Sequence, residues 1–263
     1  MTFRHALITG ASSGIGAAFA RALPRSTGLL LTGRDREKLA QLAAELALNN
    51  RPVRTMVADL SNADGRRALI NAVEETPVDL LINNAGLGWL GPVVDNPPER
   101  EAEMVQVNCA APIELTRALL PGMIRRAKEN QARERNERAG LIFVASAAAF
   151  MPIPLFATYA ASKAFLLHYA EALAEELDHA PVDVLALCPG ATKTRFFERA
   201  NVAPSGVPTT HDPDRVAREG LQALGRRSVH VVGPGTYLAT ATARFLPRRL
   251  VTAAAERVMR RWQ

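Results

Sequence analysis

Arg4-His5-Ala6-Leu7-Ile8-Thr9-Gly10-Ala11-Ser12-Ser13-Gly14-Ile15-Gly16 is the stretch from which the fold can be read. A short apolar run predicts a strand over residues 4–9. A turn with three glycines follows, and then a helical pattern over residues 14–23 that Pro24 closes. Glycines here let the backbone turn sharply and come close to a pyrophosphate. The helix then aims its free N–H groups and positive dipole end at the phosphates. The spacing is G-x-x-x-G-x-G, which differs from the usual G-x-G-x-x-G. Thr9, Gly10, Ser12, Ser13, Gly14, Ile15 and Gly16 are therefore expected to line a dinucleotide groove.

The same rhythm continues outward from this turn. Short apolar runs predict strands over residues 28–33, 53–58, 78–83, 141–145, 182–187 and 229–232. Helices are expected over 35–49, with Asp35 as N-cap and Leu39, Leu42 and Leu46 on one face, and over 61–75, with Ser61 as cap. A long helix begins at Pro97 or Pro98 and runs past Met123, and another covers 158–179. Strands with continuous apolar centres, each followed by a helix, indicate a parallel sheet covered on both faces. Right-handed crossovers make the doubly wound, Rossmann-type arrangement the simplest topology. The expectation is an α/β fold with a seven-stranded parallel sheet in one domain, residues 1–263. Residues 126–138 are charged throughout and read as a solvated helix extension or loop. Residues 195–215 hold Pro204, Gly206, Pro208 and Pro213 and read as an excursion beside the site, with a substrate lid expected over 195–225.

Composition fits a globular chain: 263 residues, 48% hydrophobic and 22% charged. Two cysteines far apart, Cys109 and Cys188, make neither a disulfide framework nor a metal site and read as buried thiols in a reducing compartment. The short apolar start runs straight into the Gly-rich turn, unlike a signal peptide, and no apolar run is long enough to span a bilayer. A cytoplasmic location is expected. The five histidines, His5, His168, His179, His211 and His230, lack ligand-like spacing, so no metal is expected.

The net charge of +6 is uneven: residues 226–263 carry +7 and residues 125–138 carry +3, which leaves −4 for the remainder. Neither basic region interleaves aromatic residues convincingly, so nucleic acid is not an expected partner. The basic segment 236–263 also carries Leu238, Phe245, Leu246, Leu250, Val251, Val258, Met259 and Trp262. It is expected to be helical and to pack on the parent domain or a sister subunit, with a membrane surface as the alternative.

The second strand ends in Gly33-Arg34-Asp35. A carboxylate there would hold a ribose 2′-hydroxyl, whereas an arginine accommodates a 2′-phosphate. Gly33 stands where the acid is expected and Arg34 follows, which favours NADP(H), with NAD(H) as the alternative through Asp35. Farther on, Tyr159 and Lys163 sit at i and i+4 on one helix face. A tyrosine is a poor acid or base at neutral pH, and an adjacent ammonium would favour the phenolate. Ser146 ends the fifth strand, at the carboxyl edge where parallel sheets build their sites. Its hydroxyl could hold a substrate oxygen as charge develops.

Together these residues give a specific resemblance. Thr9-Gly10-x-x-x-Gly14-x-Gly16, Asp59, Asn83-Asn84-Ala85-Gly86, Asn108, Ser146, Tyr159-x-x-x-Lys163 and Pro189-Gly190 match, in order and separation, the short-chain dehydrogenase/reductase family over nearly the whole chain. The resemblance implies hydride transfer between NADP(H) and a carbonyl or alcohol carbon of a small or lipophilic substrate. Tyr159 would be the acid or base, and Lys163 would bind the nicotinamide ribose and depress the tyrosine pKa. Ser146 would orient the carbonyl, and Asn108 would hold a relay water. Asp59, with Leu60 beside it, would meet the adenine edge, while Asn84, Ala85 and Gly86 line the groove. Pro189, Gly190 and Thr192 or Thr194 would meet the nicotinamide. It also implies homodimers or homotetramers through the long fourth and fifth helices. Trp89 and Phe196 are candidate substrate contacts. The rival readings are a non-catalytic NADP(H)-binding sensor or scaffold and a reductase docked on a membrane surface.

Overall fold

The computed structural model describes residues 2–47, 51–73, 76–135, 137–202 and 211–262. Seven strands form one parallel sheet in the order β3-β2-β1-β4-β5-β6-β7. They are β1 His5–Thr9, β2 Gly28–Gly33, β3 Val53–Val57, β4 Leu80–Asn83, β5 Ala139–Val144, β6 Val182–Cys188 and β7 Val229–Val231. The helices are α1 Gly14–Ala22, α2 Arg36–Leu46, α3 Ala63–Val73, α4 Pro98–Val105, α5 Ala111–Ala132, α6 Ala157–Glu176, α7 Phe196–Arg199, α8 Pro213–Ala223, α9 Pro234–Phe245 and α10 Arg248–Met259. This is the doubly wound α/β fold expected.

Side chains alternate across a strand, so a sheet buried on both faces needs apolar residues at every central position. In β1, Leu7 joins the layer of α3, α5 and α6, with Leu81, Leu141 and Phe143. Its neighbours Ala6 and Ile8 join the opposite layer of α1, α2 and α8, with Leu31, Ile82 and Leu185. The chain crosses between the layers at β1, which pairs with β2 on one side and β4 on the other. The carboxyl ends part there, and that gap is where such sheets take ligands.

Several expectations change in detail. Asp35 does cap α2, its carboxylate accepting from the Lys38 N–H at 3.1 Å. The cap of α3 is Asn62 and not Ser61: Asn62 Oδ1 accepts from the Gly65 N–H, while Ser61 turns its N–H and hydroxyl to Asp59. The ends of the expected helices 35–49 and 61–75 lie partly outside the described residues. The expected long helix is two helices joined by a π-helical turn over Gln106–Ala110. Proline explains the slip. Pro112 has no N–H to offer the Asn108 carbonyl, its α-helical partner, and the Ala111 N–H reaches back to Gln106. The charged stretch 126–138, expected to be solvated, begins as the last turns of α5, where Ala127 is buried in the core and Arg126 donates to the Val78 carbonyl; residues 131–135 are exposed. Cys188 is buried as expected, but Cys109 is only half-buried. No helix among the described residues is long and apolar enough to cross a membrane.

Part of the range expected as a lid, residues 195–225, is the helix α8. Val216, Ala217, Gly220 and Ala223 of α8 are buried, most of them in the layer with α1, so that helix belongs to the body of the fold. Pro204, Gly206 and Pro208 lie outside the described residues.

Candidate active site

A cleft of about 840 Å³ runs along the carboxyl edge of the sheet, from the N-terminus of α1 past β5 to the C-terminal helices. Its first wall is the Gly-rich turn. Gly10 and Gly14 have φ of +64° and +58°, in the left-handed region that disfavours side chains. A Cβ on Gly16 would stand 2.5 Å from both the Gly10 carbonyl and Asn84 Nδ2, so that glycine is required by how the turn closes on the segment after β4. Asn84 Nδ2 donates to the Thr9 and Gly10 carbonyls, and Thr9 Oγ1 accepts from the N–H groups of Asn84 and Ala85. Thr9 and Gly16 therefore brace the turn and do not face the cleft. Gly10, Ser12, Ser13, Gly14 and Ile15 do line it. The α1 N-cap, Ser13, makes no side-chain capping bond, so no hydroxyl shields the helix's first N–H groups. That cradle fits a pyrophosphate.

Beyond it, Arg34, Asp59, Leu60, Ala85 and Gly86 line the cleft. The Asp59 carboxylate accepts from the Ser61 N–H at 2.9 Å and from its hydroxyl at 2.8 Å. Burial works to raise its pKa, but the Ser61 bonds and nearby Arg34 outweigh that and hold it below the usual carboxylate value. No ion pair is found for Arg34 among the described residues, whereas the Asp35 carboxylate is engaged by Lys38. The end of β2 thus offers, beside the cleft, a cation with no direct ion pair among the described residues, which fits a 2′-phosphate.

Tyr159 and Lys163, one turn apart on α6, both face this cleft. The Tyr159 ring stacks on Phe156 at 4.4 Å and tilts against Phe196 at 5.2 Å, which fixes the phenol's direction. The Ser146 hydroxyl lies close enough to the phenol to favour its ionised form, and Ser146 Oγ accepts from the Ala148 N–H at 3.1 Å. Lys163 Nζ donates to the Val144 carbonyl at 2.8 Å and lies 5.9 Å from the tyrosine ring centre. The expected depression of the tyrosine pKa by Lys163 is not what this geometry gives. Burial pushes Tyr159 up to about 12, only the Ser146 hydroxyl pulling the other way, and pushes Lys163 down to about 8.

Asn108 departs from its expected place. Its amide is fully buried: Oδ1 accepts from the Leu87 N–H, and Nδ2 donates to the Leu87 carbonyl and to Ser162 Oγ. It does not line the cleft; it ties α6 to the loop after β4. Trp89 also departs. The Leu90 N–H donates to the Ala200 carbonyl, which zips this loop to the end of α7; Trp89 does not line the cleft but packs, half-buried, against the cluster of Leu90, Phe156 and Tyr159, with the Arg100 guanidinium 5.5 Å from its ring.

Pro189, Gly190, Thr192, Thr194 and Phe196 line the far side. A contact missed in the sequence holds that segment. His211 bridges to Thr192, and its Nε2 sits 2.9 Å from Thr236 Oγ1, pinning the loop after β6 to α9. The apolar end of the cleft was also incomplete in the sequence reading. Phe156, Phe197, Met259 and Trp262 line it with Phe196, and the Phe197 and Trp262 rings meet edge to face at 6.0 Å. The spacing of Met259 and Trp262, one helical turn apart in the tail, was the available signal.

Comparison with known proteins agrees with this geometry. The family model described as short chain dehydrogenase matches residues 4–204. A very-long-chain 3-oxoacyl-CoA reductase of Phaeosphaeria nodorum is 37% identical over 229 residues, covering 84% of this chain and 63% of that protein. A dehydrogenase/reductase SDR family member 7B of Bos taurus is 30% identical over 246 residues, covering 86% and 72%. The matches span about three fifths of the length of the first curated relatives. Among solved structures, a short-chain dehydrogenase from Sphingobium yanoikuyae in complex with NADPH superposes with a TM-score of 0.78 at 28% identity, covering 92% of this chain and 94% of that one.

Proposed function

This chain belongs to the short-chain dehydrogenase family, and from that premise we propose that it is an NADP(H)-dependent oxidoreductase that interconverts a carbonyl and an alcohol. One observation carries the reading: Tyr159, Lys163 and Ser146 converge on a cleft whose other end is the bare N-terminus of α1. When bound, the nicotinamide supplies or accepts the hydride. The chain's residues do the rest. Ser146 holds the substrate oxygen, and Tyr159, a phenol at neutral pH, gives that oxygen its proton during reduction. Lys163 sets the charge beside it, and Asn108 fixes α6 through Ser162 and acts as a positioning residue. Arg34 selects the 2′-phosphate, and NAD(H) remains the weaker cofactor. A pure binding protein would have no use for this buried proton-transfer group, which disfavours the sensor reading.

Substrate character follows from the other wall. Phe156, Phe196, Phe197, Met259 and Trp262 surround the tyrosine side, and the carboxylates lining the cleft, Asp35 and Asp59, stand at the opposite end. A lipophilic ketone or aldehyde fits this wall; an ammonium substrate does not. Residues 195–202 serve as the lid. The reading includes a cytoplasmic setting, in keeping with two free thiols, and assembly of copies through α4–α6, where Val105, Ile113 and Phe165 are exposed.

The test is NADPH oxidation against a panel of ketones, aldehydes, quinones and steroids, with Tyr159→Phe beside the natural chain. The variant should bind NADPH unchanged and lose about 10²–10⁴-fold in kcat. Turnover within a few-fold of normal would overturn the role given to Tyr159.

A further inference from the structure

The corner between α9 and α10 carries side chains that the cleft does not use. Phe245 is 89% exposed and Leu250 62%, with Tyr237, Leu238 and Leu246 also open to water. Thr240, Val251 and Met259 are buried on the other faces of the same helices, so the two helices are already anchored and these apolar groups are left over. Exposure of five large apolar side chains on one pair of helices marks a candidate interaction surface. Arginines surround it: Arg244, Arg248 and Arg249 flank the Phe245-Leu246-Pro247 tip, and Arg257 and Arg261 follow along α10. The one acid of residues 226–263, Glu256, is taken by Arg260 at 2.6 Å. No ion pair is found for Arg248, Arg249, Arg257 or Arg261 among the described residues.

We propose that this corner docks on an anionic lipid bilayer, with Phe245 and Leu246 inserted at the interface and the arginines among the headgroups. Charge decides the occupant. A second copy on the same face would bring together two α9–α10 segments, each with six arginines against one acid over residues 236–263, whereas an anionic bilayer satisfies the arginines and the apolar tip at once. Nucleic acid would neutralise the arginines but leave the aliphatic side chains exposed. The position also suits the cleft. Ala239 of α9 and Val258 of α10 line it, so a docked molecule holds this wall of the cleft beside the layer into which an apolar carbonyl partitions. That last link rests on the proposed function; the docking does not.

Co-sedimentation of the full chain with phosphatidylcholine vesicles, and with vesicles that also contain phosphatidylserine, tests it. Binding is expected only to the second kind, with release in 1 M salt, where the Debye length is about 3 Å. The double variant Arg248→Glu/Arg249→Glu should lower partitioning by about tenfold or more. Phe245→Glu/Leu246→Glu should also lower it, and both variants should keep NADPH binding and thermal melting unchanged. Absence of vesicle binding overturns the proposal, as does equal binding to both vesicle types. Self-association that Phe245→Glu/Leu246→Glu abolishes, without vesicle binding, would also overturn it by assigning the face to a second copy.

Discussion

Burial moves Tyr159 and Lys163 in opposite directions, and that fixes their protonation at neutral pH. With Tyr159 near 12 the phenol keeps its proton throughout the working range, the state an acid needs in reduction. Lys163, near 8, is the group that changes charge there. The ammonium is favoured below that value and lost above it, so kcat for reduction should hold steady at neutral pH and fall as pH rises through about 8. Lys163→Arg keeps its charge at every accessible pH. Its kcat profile should lose that alkaline limb even if its plateau is lower. A limb that stays in place would mean another group titrates. Arg34 allows a second test at this scale. A charge-assisted bond to phosphate contributes about 1.5–3 kcal/mol, so Arg34→Ala should weaken NADPH by about ten- to a hundredfold and NADH little. Equal losses in titrations of both cofactors would remove Arg34 from that role.

The turn between β1 and α1 shows why some elements could be read in the sequence and others could not. Its glycines answer a local demand, left-handed backbone and a close approach, and local demands leave a residue-type signature. Gly16 makes this testable. A methyl there meets the Gly10 carbonyl and Asn84 Nδ2 at 2.5 Å, so Gly16→Ala must displace the bonds that seat Asn84 on Thr9 and Gly10. The variant should fold with its sheet intact by circular dichroism, lose about 1–3 kcal/mol of stability, and bind NADPH at least about tenfold more weakly by fluorescence titration. Unchanged affinity would show that the turn's shape does not set the phosphate site. The inner strands β1, β2, β4, β5 and β6 were legible because burial on two faces forces continuous apolar runs, whereas the edge strands β3 and β7 are exposed or half-buried and carry a weaker signal. The π turn at Gln106–Ala110 was not, because a proline in a helical pattern signals a disturbance without saying how the ladder repairs itself. Nor were the roles of Asn108, Trp89 and His211. Each depends on which distant carbonyl, guanidinium or hydroxyl the tertiary fold brings near.

At the scale of the molecule, the cleft is assembled from segments that the unfolded chain does not hold together: the turn after β1, the ends of β2, β4, β5 and β6, and the tail. Its apolar end was hidden in the sequence because residues 239–262 return to the cleft from far along the chain, and their spacing reads equally well as a helix packed elsewhere. A ligand of such a cleft binds only the native state and must raise the melting temperature. At a hundred times its dissociation constant, NADPH should add about 2.7 kcal/mol, which for a domain of this size is about 5–10 °C. NADH at the same concentration should give a clearly smaller shift, because the charge on Arg34 meets no 2′-phosphate. In Arg34→Ala the two shifts should converge. The measurement requires no substrate, so it judges the cofactor reading even while the carbonyl compound is unidentified. Equal shifts with NADPH and NADH in the natural chain would sink the assignment of specificity to the end of β2, and no shift with either would mean the cleft holds no dinucleotide.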